Sequence, residues 1–173
     1  MVESINGRAS KIQRPKSQWR RIAWITILIA DVGLLAWGGM AALAPAHLLG
    51  PGSAPILNAE YEGFTGYSWS QLVATSSETA RFMTLLFRMY GTYGVAFALT
   101  AIAVSVTAFR RGESWAWWAL LVGNTIAFGA AMTYDRIVGA IGPFEMSEYI
   151  GIAAIYVALA ITAPFYSHGV KQT

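Results

Sequence analysis

Apolar residues fall into four long blocks along this chain, separated by shorter polar stretches. Within the blocks there is no steady alternation with charge, which is the pattern of segments solvated by lipid. A bilayer core about 30 Å thick needs roughly 20 apolar residues per helix. The blocks predict membrane-spanning helices at about residues 22–44, 82–109, 115–134 and 149–165. The second is the longest and is expected to tilt or to project beyond the lipid. The expected fold is therefore all-α: a four-transmembrane-helix bundle over about residues 22–166, with a long extracytoplasmic loop, residues 45–81, between the first two helices. Residues 1–21 form a basic N-terminal tail and residues 167–173 a short C-terminal one.

The long loop divides in two. Pro45, Pro51 and Pro55, with two glycines, favour irregular backbone in its first part. In the second, Ser68-Trp69-Ser70-Gln71 matches a capping box followed by Leu72 and Val73. A short helix on the membrane surface is expected there, either as a lid or docking surface or as a plain connector resting on lipid. Ser77 then starts the second span, with Glu78 favourable in its first turn.

Composition agrees with the blocks: 55% of residues are hydrophobic and 12% charged, about half the charge of an ordinary soluble domain. The absence of cysteine excludes disulfides, thiol redox chemistry and cysteine-bound metals. A basic stretch followed by an apolar block also occurs in cleaved signal peptides. This block exceeds their usual apolar region of about 7–15 residues and carries Asp31 at its centre, so a retained helix is expected.

Charge sets the orientation. Arg8, Lys11, Arg14, Lys16, Arg20 and Arg21 precede the first span, Arg110 and Arg111 join the second to the third, and Lys171 follows the fourth. The opposite side holds Arg81 and Arg136 among Glu60, Glu62, Glu78, Asp135, Glu145 and Glu148. Nine basic residues against two place both termini in the cytoplasm, in a multi-pass protein of the cell (inner) membrane. The basic cluster anchors on anionic lipid heads, and nucleic acid is not an expected partner. Trp19, Trp24, Trp115, Trp117 and Trp118 sit at the expected cytoplasmic interface.

Helix packing is expected to use small residues, which let backbones approach closely in lipid. Ala119, Gly123, Ala127 and Ala131 form one such face, Gly91, Gly94 and Ala98 a second, and Ala154, Ala158 and Thr162 a third. These faces serve packing inside the bundle or a homo-oligomer contact.

Chemistry would lie with polar groups inside the membrane, which are rare and costly. Asp31 and Asn124 sit at similar depth, and a hydrogen bond between them is expected, with Thr100, Thr125 and Tyr156 as further members. Such a group is either an interhelical clamp or a relay or ligand site. Arg88, with Arg81 on the same helix face, is expected to pair with Asp135 or Glu148; the alternative is snorkelling to the headgroups. His47 and His168 fall on opposite sides of the membrane, no catalytic or nucleotide-binding motif is present, and no metal or other cofactor is expected.

Thr65-Gly66-Tyr67-Ser68-Trp69, Leu86-Phe87-Arg88-Met89-Tyr90-Gly91 and Arg110-Arg111-Gly112-Glu113-Ser114-Trp115-Ala116-Trp117-Trp118 resemble a family of small, uncharacterised bacterial four-helix membrane proteins, some of them DoxX-like. The likeness covers about residues 63–162. It implies the four-helix fold, and its DoxX side implies a small subunit beside a quinone-linked oxidoreductase, although no quinone pocket is apparent in the residues. The expected function is a non-catalytic accessory or scaffold subunit of a larger membrane assembly. The alternatives are a small-molecule or lipid binder or transporter using Asp31 and Arg88, and the oxidoreductase subunit.

Overall fold

The computed structural model describes residues 3–48, 55–139, 141 and 143–166, with the side chains of 3–17, 143 and 144 excepted. Six α-helices are described: α1 (Glu3–Leu43), α2 (Ile56–Thr65), α3 (Trp69–Thr75), α4 (Ser77–Val104), α5 (Ser114–Val138) and α6 (Pro143–Tyr166). A 3₁₀ turn at Pro45–His47 follows α1, and a π-helical segment, Ser105–Phe109, extends α4. Four stretches are long and apolar enough to cross a membrane: Gln18–Leu43, Ser77–Phe109, Ser114–Val138 and Glu145–Tyr166. The chain is a polytopic four-helix membrane protein.

The four long helices form a ring in which α1 lies between α4 and α6, and α6 lies between α1 and α5. The ring is tightest at α1–α4. A Cβ added to Gly91 would lie 2.5 Å from the Ala42 backbone nitrogen and 2.7 Å from the Ala41 Cβ. One added to Gly38 would lie 3.0 Å from the Gly91 carbonyl oxygen. In lipid, apolar side chains gain nothing by leaving solvent, so this backbone approach supplies the association through dispersion contacts. The ring is loosest at α4–α5, where few residues meet. There Gly123 admits the Phe97 ring, 3.1 Å from where a Cβ would stand.

The small-residue face expected on α5 borders its most buried face, with Gly123, Ala127 and Ala131 half-buried. Ala116, Leu120, Asn124 and Phe128 point inward, while Ala119 is exposed. On α4 the expectation holds: Gly91 and Ala98 are buried. A core of Ile27, Ala101, Phe109, Leu120, Ile155 and Leu159 fills the ring at the end that carries the termini. That end is closed by Tyr166, whose hydroxyl donates to the Phe109 carbonyl at 2.7 Å and whose ring stacks on Phe109. Arg110 lies over the Trp24 ring, 5.2 Å from its centroid.

Between α1 and α4, residues 55–76 are largely helical. The capping box is present: the Ser68 hydroxyl accepts from the Gln71 N–H and the Gln71 side chain accepts from the Ser68 N–H. The stretch expected to be irregular, around Pro51 and its two glycines, lies outside the described residues; after it comes α2. Pro55 is its N-cap, so the missing proline N–H costs no helical bond. Gly66 ends α2 at φ 76°, a conformation that disfavours side chains with a Cβ. Ile56 and Leu57 pack on Ala41, Leu48 and Phe87 and so fasten α2 to the α1–α4 pair. Asn58 accepts from the Trp69 N–H at 3.2 Å, which ties α2 to α3.

Gly91→Ala is expected to lower the thermal midpoint in detergent, with a cost of about 1–3 kcal/mol from overpacking against backbone. Gly129→Ala, where an added Cβ meets nothing within 4 Å, is the control and should be neutral or mildly stabilising. Equal midpoints for the two variants would contradict the α1–α4 packing.

Candidate functional site

The ring leaves a cavity of about 730 Å³ at the end away from the termini. Trp37 of α1, Phe87 of α4, Ala131 of α5 and Glu148 of α6 form its walls, and Leu57 and Glu60 of α2 lie over it. Its position follows from the ring. With α4 drawn against α1, a seam opens between α4 and α5. Lining residues that stay exposed come from both sides of this seam: Leu86 and Tyr90 from α4, Tyr134 and Ile137 from α5.

Helix length locates the cavity in the membrane. Ser77–Phe109 has 33 residues, so it is about 50 Å long and exceeds the hydrocarbon layer by about 20 Å. Counted from the Arg110 end, 30 Å of helix reaches roughly to Tyr90. The same count on α5 reaches roughly to Tyr134. On that count the cavity lies toward the far ends of both helices, beside Tyr90 and Tyr134.

Most of the lining is apolar or aromatic, including Ile56, Met83, Phe64, Trp69, Tyr61 and Val138. Against this background stand four carboxyl groups: Glu60, Asp135, Glu145 and Glu148. No Lys, Arg or His is found among the described lining residues. The Tyr134 hydroxyl donates to Glu60 Oε2 at 2.7 Å, clasping α2 to α5. Burial pushes the Glu60 carboxyl up to about 7; the Tyr134 hydrogen bond opposes this, and the nearby Glu145 and Asp135 charges add to it. Asp135 Oδ2 is shut off from solvent and has no hydrogen-bond partner. Among the described residues, no group of acids and histidines is arranged to hold a metal ion.

The residues singled out by sequence fall in three places. Asp31 is 1% exposed, as expected for a carboxyl inside a bundle, but its partner is Ser105, whose hydroxyl donates to Asp31 Oδ2 at 3.3 Å. Ser105 opens the π-helical segment, a backbone variant that re-aims side chains. Asn124 is fully buried and donates to the Leu120 carbonyl of its own helix, so the expected Asp31–Asn124 bond is not formed. Thr125 and Tyr156 bond each other at 2.8 Å on an exposed face between α5 and α6, and Thr100 bonds back to Ala96. Asp31 thus belongs to an interhelical clamp between α1 and α4.

Arg88 is not paired with Asp135 or Glu148; the ion pair among the described residues is Arg111–Glu113. Arg88 is exposed on another face of α4, in a shallow groove with Glu78, Arg81 and Phe82. Two acids proposed as its partners, Asp135 and Glu148, line the cavity instead. The reason is geometric: Phe87 and Gly91 face inward, and Arg88 follows Phe87 by about 100° around the helix. Exposed on that face, its guanidinium requires no buried partner. Sequence reasoning missed Glu60, Glu145 and Tyr134. Glu60 counted only toward charge asymmetry, and Glu145 also as an acid at the height of Arg88.

A carboxyl held up to about 7 in the fold, against 4.5 in an unfolded chain, favours the folded state most below pH 4.5. That contribution is lost as pH rises through about 7. The thermal midpoint in detergent is expected to fall across this window, and Glu60→Gln should flatten the fall. An unchanged slope in the variant would remove Glu60 from the account. Comparison with protein families, with curated proteins and with solved structures gives no match for this chain.

Proposed function

We propose that this protein binds an amphiphilic small molecule or lipid drawn from the membrane, as a receptor or carrier, in the cavity beneath α2. The observation that carries this reading is the cavity itself: about 730 Å³, apolar and aromatic on most of its wall, with acids at the interface and exposed lining on both sides of the α4–α5 seam. Its volume falls within the range of small-molecule sites. The charge asymmetry of the segments favours the extracytoplasmic side for it. Site residues shift accordingly, from Asp31 and Arg88 to Glu60, Tyr134, Asp135 and Glu148. The accessory-subunit reading rests on size, missing motifs, small-residue faces and the ordered outer segment, and the DoxX-like oxidoreductase reading on resemblance; no feature of the cavity favours them.

Nile red, a neutral solvent-sensitive dye, provides the test. The purified protein in maltoside detergent is expected to bind it saturably. Ala131→Trp, which places an indole in the cavity wall, should weaken binding about tenfold or more, equivalent to about 1.4 kcal/mol. Ile126→Trp, on an exposed part of α5, should not. Equal binding by the two variants, with both folded by circular dichroism, would overturn the reading.

A further inference from the structure

The lining of the cavity carries more than a volume. Four acids converge on it from three elements: Glu60 from α2, Asp135 from α5, and Glu145 and Glu148 from α6. No described lining residue is basic, and the groove that holds Arg81 and Arg88 is a separate one. Carboxyl groups crowded into a half-dry space destabilise one another's charged forms. They are normally neutralised by protons or by a cation, and two observations favour room for a cation. Asp135 Oδ2 is enclosed without a hydrogen-bond partner, an expensive state for a buried acceptor. The wall around the acids is also aromatic, with Tyr61, Phe64, Trp69, Tyr90 and Tyr134. Such rings attract alkylammonium groups through their faces.

The same cavity is graded. Ile56, Leu57, Met83 and Leu86 supply wall for a hydrocarbon chain. A ligand entering by the α4–α5 seam from the lipid would keep its chain on these residues and carry its head toward the acids. We infer that the ligand of this cavity is a cationic amphiphile, an alkyl chain bearing an ammonium head, bound by the carboxylates of Glu60, Asp135 and Glu148 within the aromatic wall. This rests on the binding reading above and adds the sign of the charge.

The geometry also gives the pH dependence. The groups facing Glu60 are Tyr134 and Asp135 on α5, Glu145 and Glu148 on α6, and Tyr90 on α4. None of these groups is cationic. Lowering the pH protonates Glu60, whose carboxyl is held up to about 7, and removes charge that the head requires. Affinity for a cation therefore falls as pH drops, while affinity for a neutral chain of equal length stays level.

The test uses the full chain in maltoside detergent, with bound Nile red as reporter and three twelve-carbon competitors: dodecyltrimethylammonium, dodecanol and dodecyl sulfate. At pH 8 the ammonium compound is expected to displace the dye at about tenfold lower concentration than dodecanol, with the sulfate weakest. At pH 5 the advantage over dodecanol should shrink severalfold. Glu60→Gln with Glu148→Gln should abolish it at pH 8, whereas Glu78→Gln, outside the cavity, should keep it. Should the double variant fail to fold, Glu148→Gln alone is read, with a partial loss expected. Displacement by dodecanol or dodecyl sulfate as strong as by the ammonium compound would overturn the charge assignment while leaving the binding reading intact. A dye that never binds saturably would overturn the binding reading first.

Discussion

The close approach of α1 and α4 at Gly38 and Gly91 is the constraint from which the other features follow. Backbone atoms occupy the space where a Cβ of Gly91 would stand, so the two helices meet along their axes and not through long side chains. In lipid this is how helices gain contact, because burying leucine against leucine offers little over leucine against acyl chains. Around the ring the helices do not all approach so closely. Here the compensation falls at α4–α5, where the walls part and α2 is laid across the gap. The cavity is thus a consequence of uneven packing, and the hydrogen bond from Tyr134 to Glu60 joins its roof to its wall.

Polarity is distributed to suit. Deep in the bundle, Asp31 is met by the Ser105 hydroxyl across the α1–α4 contact, a small clamp where the helices are already close. A carboxyl there would be costly if it faced lipid. At the far interface the cost of a charge falls steeply, and acids gather there. Arg88 shows the same rule from the outside: it stays exposed on another face of α4, a helix longer than the hydrocarbon layer is thick.

Much of the fold was legible in the residues because hydropathy alone determines which segments enter lipid. All four spans follow from it, and the capping box at Ser68 and Gln71 marks α3 by local chemistry alone. α2 was not legible: a proline that breaks a helix interior also starts a helix well, and only the packing of Ile56 and Leu57 on Phe87 separates the two outcomes. The pairing of Asp31 was hidden because Ser105 lies 74 residues away and looks like any polar residue near a span end. The site was hidden for the same reason. Glu60 and Tyr134 are 74 residues apart, and no single segment shows that α2 folds back over α5.

The central claim is that the space beneath α2 is open to molecules dissolved in the lipid. Photo-crosslinking in bilayers with an alkyl chain carrying a diazirine at its end tests it most directly, with labelled residues mapped by peptide mass spectrometry. The account predicts labelling of inward-facing positions such as Phe87 and Ala131, in addition to lipid-facing positions such as Ile126 and Val157. Labels confined to the outward faces, with none on the cavity wall, would contradict it.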